Sequence, residues 1–255
     1  MPGWSMKYSG SRSVNLAVTL VFAALIFSGT ARAQDIVWGQ PKGIAGASDI
    51  SKRGTYVDAI QTYCGSDWGN AGAPASTITI GDTTFNVVTA TPNSYSDGKM
   101  ISYAITTAQL FFASGDNPTS GWNRFPTASP SSDDYSKVVS NGVYITSGNP
   151  NGTVTLSGLK AGHVYEVQVW NFVQDGEHSL TLLSGKTPVT LDNLAGGVPA
   201  SGPLAPGASY GQFALGTFTA RGATETFDWS CGGGTYALLG SIALRDISDA
   251  ASSAQ

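Results

Sequence analysis

The chain has 255 residues, of which only 12% are charged, with 13 Lys and Arg against 17 Asp and Glu. No basic run occurs, so nothing offers nucleic acid an electrostatic footprint. Two cysteines and two histidines leave little for a metal centre built on thiolate and imidazole.

At the N-terminus, Lys7 and Arg12 precede an apolar run over 14–27, and Ala31-Arg32-Ala33 follows. Small residues at −3 and −1 after a short apolar run predict a secretory signal peptide, 1–33, cleaved before Gln34. The run falls short of the roughly 20 residues that a membrane span needs, and no later segment supplies one. The expected location is therefore periplasmic or extracellular. Cleavage removes Lys7, Arg12 and Arg32, so 13 basic residues become 10 against 17 acidic ones, a net charge of −7.

The mature chain reads as strands. Residues 35–38 form a first short one, 39–46 a Gly/Pro loop, and 46–59 a polar loop running into a strand through Tyr63. Residues 77–80 and 83–88 predict a hairpin through Gly81-Asp82. Ile101, Ile105, Ala108 and Phe112 recur at near-helical spacing, so 100–112 is the expected helix. The stretch 113–134 is the longest irregular one, and it carries Trp122, Arg124 and Phe125. A short turn or helix and then a strand follow over 135–146.

Residues 153–156 and 164–172 alternate with period two around a Gly-rich turn, 157–162, and read as a hairpin. In the second run Tyr165, Val167 and Val169 face one way, and Glu166, Gln168 and Trp170 the other. Further strands are expected at 179–183, 188–191, 212–220, 224–229 and 236–245. One apolar face per strand requires a second layer, which predicts an all-β antiparallel sandwich or jelly roll over 34–247. The small, polar residues 248–255 are expected to be a disordered tail.

Certain residues resemble a known family. They are Trp38-Gly39-Gln-Pro, Gly46-Ala-Ser-Asp49-Ile-Ser51, Gly54-Thr55, Leu156-Ser-Gly158-Leu159 with Gly162, Tyr165 and Trp170, and Gly211-Gln-Phe-Ala-Leu-Gly216-Thr-Phe-Thr219. In that order, across nearly the whole mature chain, they resemble exported bacterial proteins with a galactose-binding-like jelly roll. The resemblance implies carbohydrate binding, often with a structural calcium, and it concerns fold more than activity. The chain departs from the pattern in its cysteine pair and in having no hydrophobic sorting tail after Arg245. The segment from Leu156 to Tyr165 taken alone also resembles a fibronectin type III strand pair.

Several groups are candidate sites. An indole stacks on the apolar face of a sugar while a carboxylate and an amide take its hydroxyls, so Trp170, Glu166 and Gln168 form the first. Trp122 and Arg124 form a second, either as a ligand lid or as pins that hold their loop to the sandwich. Asp175-Gly-Glu177-His178 places two carboxylates and an imidazole in one loop, and with Glu166 would serve an enzyme acting on glycosidic bonds. Asp35, Asp49 and Asp246, with carbonyls of 46–51, are the candidate calcium ligands. Cys64 and Cys231, the only cysteines and both exported, are expected to form a disulfide, worth about 5 kcal/mol by loop-closure entropy. No Gly-x-Ser-x-Gly occurs, and His163 and His178 alone make a Ser-His-Asp triad a poor fit.

The leading expectation is a secreted, non-catalytic protein that binds extracellular or cell-wall glycan. A glycoside hydrolase or polysaccharide lyase on the same scaffold is the alternative, and a structural adhesion or matrix module the second alternative.

Overall fold

The computed structural model describes residues 36–63, 76–89, 94–96, 99–105, 111–114, 134–139, 141–146, 152–171, 179–184, 187–192, 211–232 and 236–249. Its strands, in chain order, are β1 Val37–Trp38, β2 Lys42–Gly43, β3 Thr55–Tyr63, β4 Thr77–Ile80, β5 Thr83–Thr89, β6 Ser94–Ser96, β7 Ile101–Ile105 and β8 Phe111–Ser114. They continue as β9 Asn141–Thr146, β10 Gly152–Ser157, β11 Val164–Asn171, β12 Ser179–Leu182, β13 Val189–Asp192, β14 Gln212–Thr219, β15 Thr224–Cys231, β16 Tyr236–Leu239 and β17 Ile242–Asp246. A 3-10 turn at Ala47–Asp49 and a one-turn helix α1, Asp134–Val138, complete the elements.

The architecture is an antiparallel β-sandwich. One sheet runs β1-β14-β11-β17-β3-β5-β4, with β2 also on β14. The second runs β13-β12-β15-β10-β7-β6, and β16-β9-β8 form a small third sheet. All pairs are antiparallel except β3 with β5. Val167, Val169, Leu244 and Ile60 of the first sheet meet Val154, Leu156, Phe227 and Leu180 of the second in one buried core. Trp38 abuts Phe227 edge-on across that gap, with ring centroids 5.3 Å apart. Residues Arg32–Gln255 gather into one compact unit. Among the described residues no helix is long and apolar enough to cross a membrane.

The sequence-based elements hold in most places, including the hairpin β4–β5. Three readings change. First, the expected helix over 100–112 is replaced by β7 and β8. Ile101 sits in the sandwich core and β7 zips onto β10, so tertiary pairing overrides a near-helical spacing. Second, β10 and β11 are not a hairpin but an arch: β10 belongs to the second sheet and β11 to the first. The turn between them does use Gly158 and Gly162 at φ 66° and 85°, where a side chain would be strained. Third, the single strand expected over 236–245 breaks at Gly240-Ser241 into β16 and β17, which join different sheets.

The centre of the first sheet is buried on both faces, while Val37 on β1 and Thr77 and Thr79 on β4 are exposed. Against its outer face lies a second core of Ile44, Ile50, Ile78, Phe85, Tyr135, Val138, Trp170 and Phe213. The cover comes from the 3-10 turn, the β4–β5 hairpin and α1. All of β11 beyond Val164 is consequently buried.

Candidate functional site

Strand alternation sends Glu166, Gln168 and Trp170 to the outer face of the first sheet, as expected, but that face is covered. Trp170 is fully buried, edge-on to Phe85 at 5.9 Å and tilted against Phe213 at 6.3 Å. Its indole N–H has no acceptor among the described residues. A side chain so enclosed cannot stack on a sugar, and the sugar-platform reading of Trp170 is corrected to a core role.

Glu166 and Gln168 are equally enclosed, at 1% and 2% exposure, and their polar atoms are used by the chain itself. Ser51 Oγ donates to Glu166 Oε1, and Arg53 Nη1 donates to Oε2 at 2.8 Å. Gln168 accepts from the Ser51 amide at 3.0 Å and donates through Nε2 to the Asp49 carbonyl at 2.8 Å. The two side chains thus fasten the 47–53 loop onto β11. A buried carboxylate and amide are tolerable only when paired in this way.

Beside them, Arg245 of β17 stands opposite Glu166 in register. Its guanidinium, 3% exposed, donates to the carbonyls of Arg53 and Gly54 and forks onto Asp82, at 2.6 Å for the shorter arm. Thr83 Oγ1 accepts a further bond. The Asp82 carboxyl is held below its ordinary 3.8, chiefly by the Arg245 hydrogen bond. Gly54 is tied to this spot by more than its carbonyl. Its φ is 60°, and a Cβ there would run into the Asp246 carbonyl. Glu166, Gln168 and Arg245 therefore form one clasp that holds two loops on the outer face. At 1% exposure Glu166 lies out of reach of a substrate, and a general base must come within hydrogen-bond distance of the proton it takes.

The calcium set does not converge. Asp49 Oδ2 accepts from the amides of Ala45 and Gly46, at 2.7 and 3.0 Å, and from Tyr135 Oη at 2.8 Å. Those bonds shape the 3-10 turn and anchor α1. Asp246 pairs with Tyr165, on the opposite face of the sheet from Gln168, which holds the Asp49 carbonyl. Asp35 lies outside the described residues. Among those residues no three His, Cys, Asp or Glu side chains group to hold a metal ion.

Asp246 instead accepts from Ser248 Oγ at 2.7 Å and meets His163 Nδ1 at 2.7 Å. Burial alone would raise this carboxyl, but the bonds from Ser248 and His163 outweigh it, and the group sits below its ordinary value. Histidine, aspartate and serine are together here, yet the serine bonds the carboxylate rather than the imidazole, so no nucleophile is activated. Ser248 Oγ also accepts the Val164 amide at 2.9 Å, so the expected tail is ordered at its first residue. The sequence carried no spacing signal for this cluster, which depends on β11 and β17 being neighbours.

Register also sorts the connections. β3, β5, β7, β11, β13 and β15 finish, and β10, β12 and β14 begin, at one end of the sandwich. Tyr63, Asn171 and Cys231 all lie there. Asp175, Glu177 and His178 fall between Asn171 and Ser179, and are themselves outside the described residues. So are Cys64, Trp122 and Arg124. Cys231 is half-buried, has no disulfide partner among the described residues, which leave out Cys64, and holds its Sγ 3.7 Å from the Ile145 carbonyl. Burial pushes it above its ordinary value against a backbone hydrogen bond at Ala237.

No family model matches the chain, and no curated protein does. Among solved structures it is similar to an exo-β-1,3-galactanase from Phanerochaete chrysosporium with galactose, at 15% identity and a TM-score of 0.28. That match covers 62% of this chain and 30% of that one. A variant of the same enzyme with β-1,3-galactotriose matches at 14% identity and a TM-score of 0.28, covering 64% and 30%. This chain thus spans less than a third of that enzyme's length.

Proposed function

We propose that the mature chain is a secreted, non-catalytic protein that binds extracellular or cell-wall glycan. The observation that carries binding over catalysis is the state of Glu166. Glu166, one of the carboxylates expected to serve an enzyme, is buried, and its oxygens are bound to Ser51 and Arg53. The glycan part draws on the sequence resemblance and on a sandwich with many connections at one end, an architecture that presents surfaces rather than deep clefts.

One observation favours a second reading. Asn171 and Ser179, which flank Asp175, Glu177 and His178 in the sequence, belong to different sheets, so the connection that carries these three residues joins the two sheets. A glycoside hydrolase or lyase would place its acid–base pair in such a position.

Screening the purified mature protein on a glycan array, with reducing-end and unsaturated-product release followed on the same glycans, separates these readings. Retention without product is expected. Product release that Glu177→Gln abolishes would establish the enzyme instead, and no retention on any glycan would leave the structural adhesion module.

A further inference from the structure

The outer face of the second sheet has a composition that its fold does not require. Its strands bury Val154, Leu156, Phe227, Trp229, Leu180 and Leu191 inward. The residues alternating with these are nearly all Ser or Thr, and register lines them up across the strands. Ser102, Thr155 and Thr226 stand side by side on β7, β10 and β15. Ser230, Thr181 and Thr190 do so on β15, β12 and β13. Thr226 is exposed, and Ser102, Thr155, Ser230 and Thr190 are half-exposed.

At the described outward positions of this sheet there is no Lys, Arg or aromatic residue, and the acid is Asp228. An ordinary solvated sheet face mixes charges of both signs. Two pairs are at bonding separation, one of them through Thr181, which is itself buried. Thr181 Oγ1 and Thr190 Oγ1 are 2.8 Å apart, and Thr153 Oγ1 donates to Asp228 at 2.6 Å. The result is a two-dimensional hydroxyl array, repeating about every 4.8 Å across strands and about 6.8 Å along them.

We infer that this face is the docking surface for an extended, uncharged polysaccharide lying across the rows. The inference rests on the glycan-binding reading and names its surface and ligand class. A hydroxyl both donates and accepts, as each hydroxyl of a neutral sugar does. Water offers the same bonds, so one hydroxyl pair gains little on binding. A single sugar ring is therefore held poorly. A polymer that meets several rows at once adds the small gains while losing its translational freedom once. Asp228 repels uronate or sulfate groups, and no described outward position carries a cation to offset that repulsion.

The test is retention of the mature protein on insoluble cellulose, chitin and β-1,3-glucan, with pectate as the anionic comparison. Retention on at least one neutral polymer, insensitive to salt and above that on pectate, is expected. Thr155→Val with Thr226→Val keeps the shape and strand preference of both positions while removing two hydroxyls. It should lower the partition onto that polymer at least about tenfold at unchanged Tm. Thr226→Lys, a single change at an exposed site, is the second variant and should act in the same direction. Equal retention of wild type and folded variants would overturn the face while leaving glycan binding intact, elsewhere on the molecule. Retention on no polysaccharide would overturn both. Full displacement by monosaccharide would overturn the extended ligand. So would ice-crystal shaping without polymer retention, which would make ordered water the partner of the same hydroxyls.

Discussion

At the residue scale, burial decides what each polar group does. Glu166, Gln168 and Arg245 share one sheet face, and each is closed off by donors or acceptors from a loop remote in sequence. Asp82 is the exposed partner in this clasp, and its depressed carboxyl makes the pairing sensitive to acid. The folded value lies below the unfolded one. The contribution is therefore full above the unfolded value and is lost as pH falls through the folded one. Asp82→Asn should lower Tm at neutral pH and flatten the wild type's loss of stability below about pH 4. Thermal melts at stepped pH check this, and parallel acid slopes for the two proteins would contradict it. Gly54 gives a steric test of the same corner. Gly54→Ala faces both a positive φ and the Asp246 carbonyl, so it should cost about 2 kcal/mol or more by denaturant titration.

At the scale of elements, β11 is where sequence reading succeeded and stopped. Its alternation correctly separates Val167 and Val169 from Glu166, Gln168 and Trp170. Period two reports two faces, but it carries no information on whether the second face meets water. That depends on Phe85 and Tyr135, 85 and 35 residues earlier in the chain, folding back over it. The arch between β10 and β11 was hidden for a similar reason: Gly158 and Gly162 permit a turn without specifying which sheet receives the next strand. Hairpin β4–β5 was legible because Gly81-Asp82 and its flanking strands are all local. Of the candidate site residues, several fall outside the described part of the chain; of those inside it, Glu166, Gln168, Asp49 and Asp246 fasten neighbouring segments and Trp170 is core. If Glu166 fastens the 47–53 loop, Glu166→Gln should weaken the Arg53 bond and cost about 1–3 kcal/mol. Hydrogen exchange should then quicken at the Ser51 and Arg53 amides before the β11 amides. Unchanged exchange in that loop would refute the fastening role.

For the whole molecule, the sandwich is closed by two cores, one between the sheets and one outside the first sheet. Of the candidate calcium ligands that the structure describes, Asp49 shapes its own turn and Asp246 faces the other side of the sheet, so these two do not share an ion. Metal-free protein should accordingly melt at the same temperature with millimolar calcium as with chelator, and a rise on adding calcium would reveal a binding site. The central claim is that the outer row of β11 belongs to the core and that ligand is met elsewhere. It is tested most directly by measuring melting and glycan retention on one preparation of Trp170→Ala. Stability should fall by about 3–5 kcal/mol, with the affinity of the folded fraction unchanged. Full stability with retention abolished would contradict it.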